Sequence, residues 1–353
     1  MQTETLIIGG GLSGLGVAAR LTADGRDFLL VEARDRLGGR ILTERLNTAY
    51  FDLGPTWFWP GQPRIAALVN RLGLSRFDQF SHGDIIYQDE QGQVLRGHGR
   101  AAMQGSFRLR GGLAALTNAL AREIPSARIR MATPIQALAR TDGLIVASAQ
   151  GGTEIRARSV VLALPPRIAA QLSFSPGLPD DALVTMKGIA TWMAGEAKVV
   201  AVYDRPFWRE AGLSGDAMSR VGPMVELHDA SPAEGGPYAL FGFIGVPTDA
   251  RSDAQLLRQQ VQAQLVRLFG PSAAEPRQLH LKDWAFDPFT ATGRDHQPLF
   301  AHPSYGLPRS LARLWGGDLI LAGTEVAPQF GGFLEGALEA AELAHLHLNA
   351  VES

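Results

Sequence analysis

The sequence predicts an α/β chain: a parallel sheet layered with helices, interrupted by a second region of mixed α+β character. Three observations carry this. Residues 5–9 form a short apolar run ending in a glycine turn, residues 13–23 have helical spacing of apolar side chains, and residues 28–32 form a second apolar run. A strand, helix, strand order opens a parallel sheet, since parallel neighbours need a crossover between them. Further on, residues 190–247 read as strands punctuated by glycine and proline, the pattern of a mixed or antiparallel sheet. With 353 residues, 46% of them hydrophobic, the chain can bury a large core and divide into roughly two domains.

The remaining elements follow in order. Residues 39–53 alternate and turn at Asn47, which predicts a hairpin. Residues 63–72 place apolar side chains at 65, 68, 69 and 72, a helix opened by Pro63. The irregular stretch 74–110 holds short strands at 85–87 and 94–96. Residues 111–123 read as a helix, followed by strands near 128–131, 135–139, 144–148, 153–157 and 159–164. Residues 253–269 form the next helix, 279–284 and 319–322 are strands, and 332–348 close the chain as a helix. No internal repeat stands out.

Composition excludes several classes. A net charge of −2 leaves no electrostatic footprint for nucleic acid or an anionic membrane. With no cysteine there is no disulfide, thiolate nucleophile or thiolate-held cluster, which suits a reducing compartment. No apolar run approaches the roughly 20 residues that span a bilayer. No basic leader precedes the first strand, so a soluble cytoplasmic protein is expected. The eight histidines are scattered, and His345 and His347 point apart on their helix, so no metal site is expected.

Gly9, Gly11 and Gly14 make a G-x-G-x-x-G turn between the first strand and its helix. Such glycines allow a tight turn and close approach of the backbone to a pyrophosphate seated on the helix N-terminus. Glu32 ends the second strand at the distance expected of a ribose-binding carboxylate, which completes a Rossmann-type dinucleotide site. The stretch EARDRLGGR, residues 32–40, resembles the glycine–arginine signature of the large FAD-binding oxidoreductase group that includes amine oxidases. Arg34 and Arg40 could supply cationic donors to adenosine and pyrophosphate, with Gly38 and Gly39 letting the chain approach.

The stretch LAGTEVAPQFGGFLEGALEAAELA, residues 321–344, resembles the C-terminal flavin motif of the flavin monoamine oxidase and polyamine oxidase family. The resemblance spans nearly the whole chain and implies FAD, and the absence of cysteine makes a non-covalent flavin the expectation. Gly323, Thr324 and Glu325 would meet its ribityl–pyrophosphate part, and the backbone of Gly332, Phe333 and Leu334 its N1/O2 edge. A helix N-terminus there would stabilise the negative charge a reduced flavin gathers. TPI, residues 133–135, falls where family members contact adenine, through the Ile135 backbone. DLGPTWFW, residues 52–59, matches the family's segment beside the flavin, with Trp57 at an aromatic position. The chain has three lysines, and one, Lys198, lies in apolar surroundings eight residues before Pro206-Phe207-Trp208. In the family a lysine at that spacing holds a water against flavin N5, which makes Lys198, Phe333 and Trp57 the expected catalytic group. The competing reading pairs Lys198 with Glu196 on the same strand face, or lets it snorkel to solvent.

The family often frames its amine between two aromatic rings. Phe333 occupies one position, whereas counting from Trp284 places the other at Arg294, with Phe289, His296 and Phe330 as further pocket candidates. An arginine there would favour an anionic or carboxylate-bearing substrate. The segment between Trp57 and Gly111 is short for the family, so part of its lid is expected to be missing. The resemblance implies a Rossmann-type FAD-binding domain built from residues 1–76, 111–187 and 291–353, and a mixed-sheet α+β substrate domain from 77–110 and 188–290. The expected reaction oxidises a small amine to an imine, with oxygen reduced to hydrogen peroxide. The alternatives are a renalase-like dihydropyridine oxidase or C–C desaturase, and a non-catalytic or partner-dependent flavoprotein.

Overall fold

A computed structural model describes residues 1–351 except Pro298 and Phe300, and excludes the side chain of Val351. The first strand (β1, Gln2–Ile8) runs into helix α1 (Leu12–Ala23) and returns as β2 (Phe28–Val31), parallel to β1. β1 is central in an eight-stranded sheet, flanked by β2 and by the long strand Glu154–Leu162, and Leu319–Leu321 pairs with that long strand in parallel. Both faces are covered, so Leu6, Ile7 and Ile8 are all buried and no polar alternation survives. On one face α1 packs against the closing helix Leu334–Val351. Gly16 permits that contact, since a Cβ there would stand 3.0 Å from the Ala341 Cβ.

Seven strands form the second sheet, in the order Gln278–Asp283, Ala197–Tyr203, Tyr238–Ile244, Met224–Asp229, Leu213–Ser219, Asp84–Gln88 and Val94–Gly97. All pairs are antiparallel except Leu213–Ser219 with Asp84–Gln88. Alternation along Ala197–Tyr203 sends Val199, Ala201 and Tyr203 to the core under helix Ala254–Phe269. Val200 and Val202 face the other way, toward Phe51, Leu53 and Trp57. Lys198 shares the parity of Val200 and Val202, so the pleat alone aims it at the seam between the sheets.

Several elements depart from their sequence reading. The helix expected at 111–123 starts at Ala114, because Gly111 and Gly112 take φ of +82° and +73°. Its first amides are capped from the hairpin, with Leu113 N donating to Asp52 Oδ1 and Ala114 N to Thr43 Oγ1, each at 3.0 Å. The two strands expected at 153–157 and 159–164 are one, Glu154–Leu162, as no turn residue separates them. Helix Asp180–Gly188 occupies a stretch given no element. The closing helix begins at Leu334, after Gly332 with φ +83°.

Pro206-Phe207-Trp208 anchors the second sheet. Trp208 is fully buried and donates Nε1 to Asp229 Oδ2 at 2.8 Å, while Arg209 holds both Asp229 oxygens at 2.7 and 2.8 Å. Asp229 is itself fully buried and also accepts from Ser231 N at 2.8 Å. Its removal strands a guanidinium and an indole N–H. Asp229→Ala is expected to cost about 3–5 kcal/mol in urea unfolding; a loss below 1 kcal/mol would show the cluster to be dispensable.

Candidate functional site

One cavity of about 580 Å³ runs along the seam, lined from both sheets. Its first end is the turn after β1. Gly9 has φ +110°, and a Cβ there would lie 2.6 Å from the Ala163 carbonyl; one on Gly14 would lie 1.9 Å from the Gly9 carbonyl. Gly11 is different: its Cβ direction meets nothing closer than Gly39 Cα at 3.9 Å, so the glycine leaves bare backbone on the cavity wall. α1 has neither a side-chain N-cap nor an acidic residue in its first turn. A helix N-terminus so left calls for an anion from outside.

Glu32 is buried, accepting from Gly10 N at 2.7 Å and Arg34 N at 2.9 Å, and it lines the cavity beside Thr133, Pro134 and Ile135. The Arg34 guanidinium stands 3.5 Å from Glu32 Oε1, and it also pairs with Asp287, donates to Thr290 Oγ1 at 3.1 Å and lies 5.2 Å from the Phe289 ring centre. It therefore ties the Phe289 loop to the nucleotide end. Arg36, which sequence reasoning passed over, donates to the carbonyls of Leu37, Gly39 and Ile41 at 2.9–3.2 Å and fixes the Gly38–Gly39 turn. Arg40 lines the cavity and donates to Glu325 Oε1 at 2.6 Å. Glu325 is fully buried, and its Oε2 has no hydrogen-bond partner among the described residues.

Gly323, Thr324, Gly332, Phe333 and Leu334 line the middle of the cavity. Thr324 Oγ1 donates to Phe333 O at 2.9 Å and accepts from Gly332 N at 3.0 Å, while Phe333 N donates to Phe330 O at 3.1 Å. The amides of Gly332 and Phe333 are thus used within their own turn, which leaves the head of the closing helix at Leu334 on the wall. An uncapped helix N-terminus, a bare glycine turn and a ribose-type carboxylate together fit FAD, whereas Glu325, expected at the ribityl–pyrophosphate part, is fully buried against Arg40 and does not line the cavity. Glu32 would hold its ribose, α1 its pyrophosphate and Leu334 the polar edge of its ring.

At the far end Lys198 is 5% exposed, and its Nζ donates to the Gly54 carbonyl at 2.8 Å. Among the ion pairs of the described residues, none joins it to Glu196. Phe243 and Phe241 stand 5.2 and 5.8 Å from Nζ, measured to their ring centres. Burial pushes its pKa down to about 8, against the opposing pull of Glu196 and Asp52. Lys198, Phe243 and Glu226 form one cross-strand row on the cavity wall, and a bulge between Met224 and Glu226 brings Val225 onto the wall too. Glu226 Oε1 lies 2.8 Å from His228 Nε2, whose Nδ1 is 2.6 Å from Asp216 Oδ1. Burial opposes the imidazolium, but the two carboxylates outweigh it and raise the His228 pKa. Trp57 packs edge-on against His228 at 5.2 Å and Phe241 at 5.3 Å, with Nε1 donating to Gln79 Oε1 at 2.8 Å.

Of the substrate candidates, Phe289 lines the cavity and Arg294, His296 and Phe330 do not. The reason is a capping box: Asp295 Oδ2 accepts from Thr292 N and Oγ1 at 2.8 Å, curling the loop so that Arg294 faces solvent. His296 packs on Phe286, and the Phe330 amide donates to Glu339 at 3.0 Å. The ring beside Phe333 is His302, stacked at 5.0 Å and 15°, with Trp59 edge-on at 6.5 Å. The His302 position carries no signal in the sequence, whereas Trp59 lies in the DLGPTWFW segment and could line a pocket. Among the described residues no group of His, Asp and Glu could hold a metal, and no helix is long and apolar enough to cross a membrane.

The family model for flavin containing amine oxidoreductases matches residues 12–102 and 84–344. The chain belongs to that family. It is 21% identical to the probable flavin-containing monoamine oxidase A of Dictyostelium discoideum, over 95% of each chain. It is 23% identical to putrescine oxidase of Kocuria rosea, over 82% of this chain and 84% of that protein. Cyclohexylamine oxidase of Brevibacterium oxydans shares its fold with a TM-score of 0.84 at 22% identity, over the whole of both chains.

The buried lysine has a measurable pH signature. Its folded pKa of about 8 lies below its ordinary 10.5, so between those values the unfolded chain holds a proton that the folded chain has released. Stability therefore rises as pH climbs from 8 to 10.5, and the burial penalty, about 3 kcal/mol, is full below pH 8. Lys198→Met is expected to be more stable than wild type by up to about that amount at pH 7 in urea unfolding of the flavin-free protein. The gain should shrink above pH 8; a gain that ignores pH would contradict a buried, titrating lysine.

Proposed function

We propose that the chain is an FAD-dependent oxidase of a small amine. It takes a neutral amine to an imine that hydrolyses to an aldehyde, with oxygen reduced to hydrogen peroxide. The supporting observation is that one cavity joins a dinucleotide end at Glu32 to a buried lysine and an aromatic wall of Trp57, Phe243 and Phe333. Residues 1–76, 111–187 and 291–353 are assigned to cofactor binding, and 77–110 with 188–290 to the substrate side. A chain without cysteine suits non-covalent flavin and a reducing cytoplasm.

When bound, the flavin supplies two-electron chemistry, taking a hydride equivalent from the amine carbon and passing the electrons to oxygen. The residues do the rest. Glu32, Gly11 and the head of α1 would hold the nucleotide, so that the reacting end would be placed by tight contacts far from it. Lys198 presents a fixed donor at Gly54 where negative charge is to be stabilised, in a dry setting that strengthens its effect. The head of the closing helix at Leu334 adds a second helix N-terminus, its first-turn Glu335 being taken up by Arg64 and the Ile65 amide. Trp57, Phe243 and Phe333 exclude water and orient the apolar body of the substrate.

A panel of aromatic, aliphatic and carboxylate-bearing amines, read by peroxide release, tests this. Turnover of at least one amine is expected. Bleaching of the flavin only by reduced nicotinamides or polyenes would move the chemistry to the related oxidations, and no bleaching by any donor would leave a non-catalytic flavoprotein.

A further inference from the structure

Three carboxylates reach the cavity: Glu32, Glu196 and Glu226. Two are engaged, Glu32 by the amides of Gly10 and Arg34 and Glu226 by His228. The side chain of Glu196 accepts no hydrogen bond and joins no ion pair among the described residues. It stands two residues before Lys198, just ahead of the strand Ala197–Tyr203, and its backbone carbonyl is pinned by Trp284 N at 3.0 Å. Its neighbours on the wall are Trp192, Met193 and Trp284. Glu196 is half-buried, and a ligand that fills the cavity displaces its water, so a cation carried by that ligand completes it.

Resting on the amine-oxidation reading, we infer that Glu196 receives the substrate as an ammonium ion and takes its proton. A simple alkyl amine, with a pKa near lysine's of about 10.4, is almost wholly protonated at pH 7 and lacks the lone pair that oxidation requires. In the step an N–H bond breaks, an O–H bond forms on the Glu196 carboxylate, and the electron pair stays on nitrogen. No net charge moves in or out of the cavity. Burial raises the Glu196 pKa, opposed by Lys198 and Arg251 and supported by Asp283, which moves it toward the range useful for a base. Arg251 and Asp283 pair with each other at 2.7 Å, and Lys198 donates to Gly54, so none of them is committed to Glu196. The substrate class is a primary or secondary amine that arrives charged; a quaternary ammonium would bind without reacting.

The test compares the holoenzyme with Glu196→Gln, using Glu196→Asp as the conservative control. Benzyltrimethylammonium and benzyl alcohol are titrated against the flavin spectrum. The Gln variant is expected to bind the cation at least about tenfold more weakly, with the alcohol unaffected and the Asp variant intermediate. The wild-type advantage in kcat/KM is expected to be about 10²-fold at pH 7 and to fall toward one near pH 10, where solvent supplies free amine. Equal weakening for both ligands, or an advantage that does not vary with pH, would overturn the role. Failure of wild type to oxidise any amine would remove the oxidase reading and the proton step with it, while the cation affinity would still decide recognition by Glu196.

Discussion

One hydrogen bond across the seam of the two sheets, from Lys198 Nζ to the Gly54 carbonyl, holds together the end of the cavity proposed to carry the reaction. An ammonium group inside a protein is unfavourable unless its donors are met and opposite charge is near. Here the carbonyl accepts, two phenylalanine faces flank it, and Glu196 and Asp52 supply the charge. The same peptide segment is held a second time, by Trp284 Nε1 on the Leu53 carbonyl at 2.9 Å. Side chains of the second sheet thus grip the backbone that runs past the glycine–arginine turn. Gly54 must be glycine for this, since a Cβ would fall 2.0 Å from the Arg40 carbonyl.

The rest of the seam repeats this arrangement. Arg34 reaches Asp287, Arg167 reaches Asp295, and the buried Arg108 donates to the carbonyls of Ala230 and Ser231 at 3.0 and 2.8 Å. Each joins segments more than a hundred residues apart. The cavity wall is correspondingly divided: backbone and glycine face the nucleotide end, where close approach matters, and side chains face the reacting end, where shape and charge matter. Glu32 and Glu226 are tied into that framework, whereas Glu196 is left to the ligand.

Local pattern made part of this legible. The βαβ start, Glu32 at its end and the helix to Phe269 follow from apolar spacing and turn chemistry, and the spacing to Trp208 located Lys198. What could not be read depends on partners distant in sequence. Nothing near Arg34 says that its guanidinium goes to Asp287, nor near Arg36 that it clasps three carbonyls. The Asp216–His228–Glu226 chain needs strands Leu213–Ser219 and Met224–Asp229 to pair, and His302 meets Phe333 only in the folded chain. Arg294 was placed by counting along a loop that a capping box curls away from the cavity. The freedom of Glu196 is a property of what surrounds it, and no spacing announces it.

The central claim is that Lys198 serves the reacting end of the flavin site. Separate anaerobic reduction by an amine and reoxidation by oxygen, compared between wild type and Lys198→Met with flavin fully retained, tests it most directly. At least one half-reaction is expected to slow by about tenfold or more, as the loss of roughly 1.4 kcal/mol from one charge contact implies. Unchanged rates in both half-reactions would contradict it.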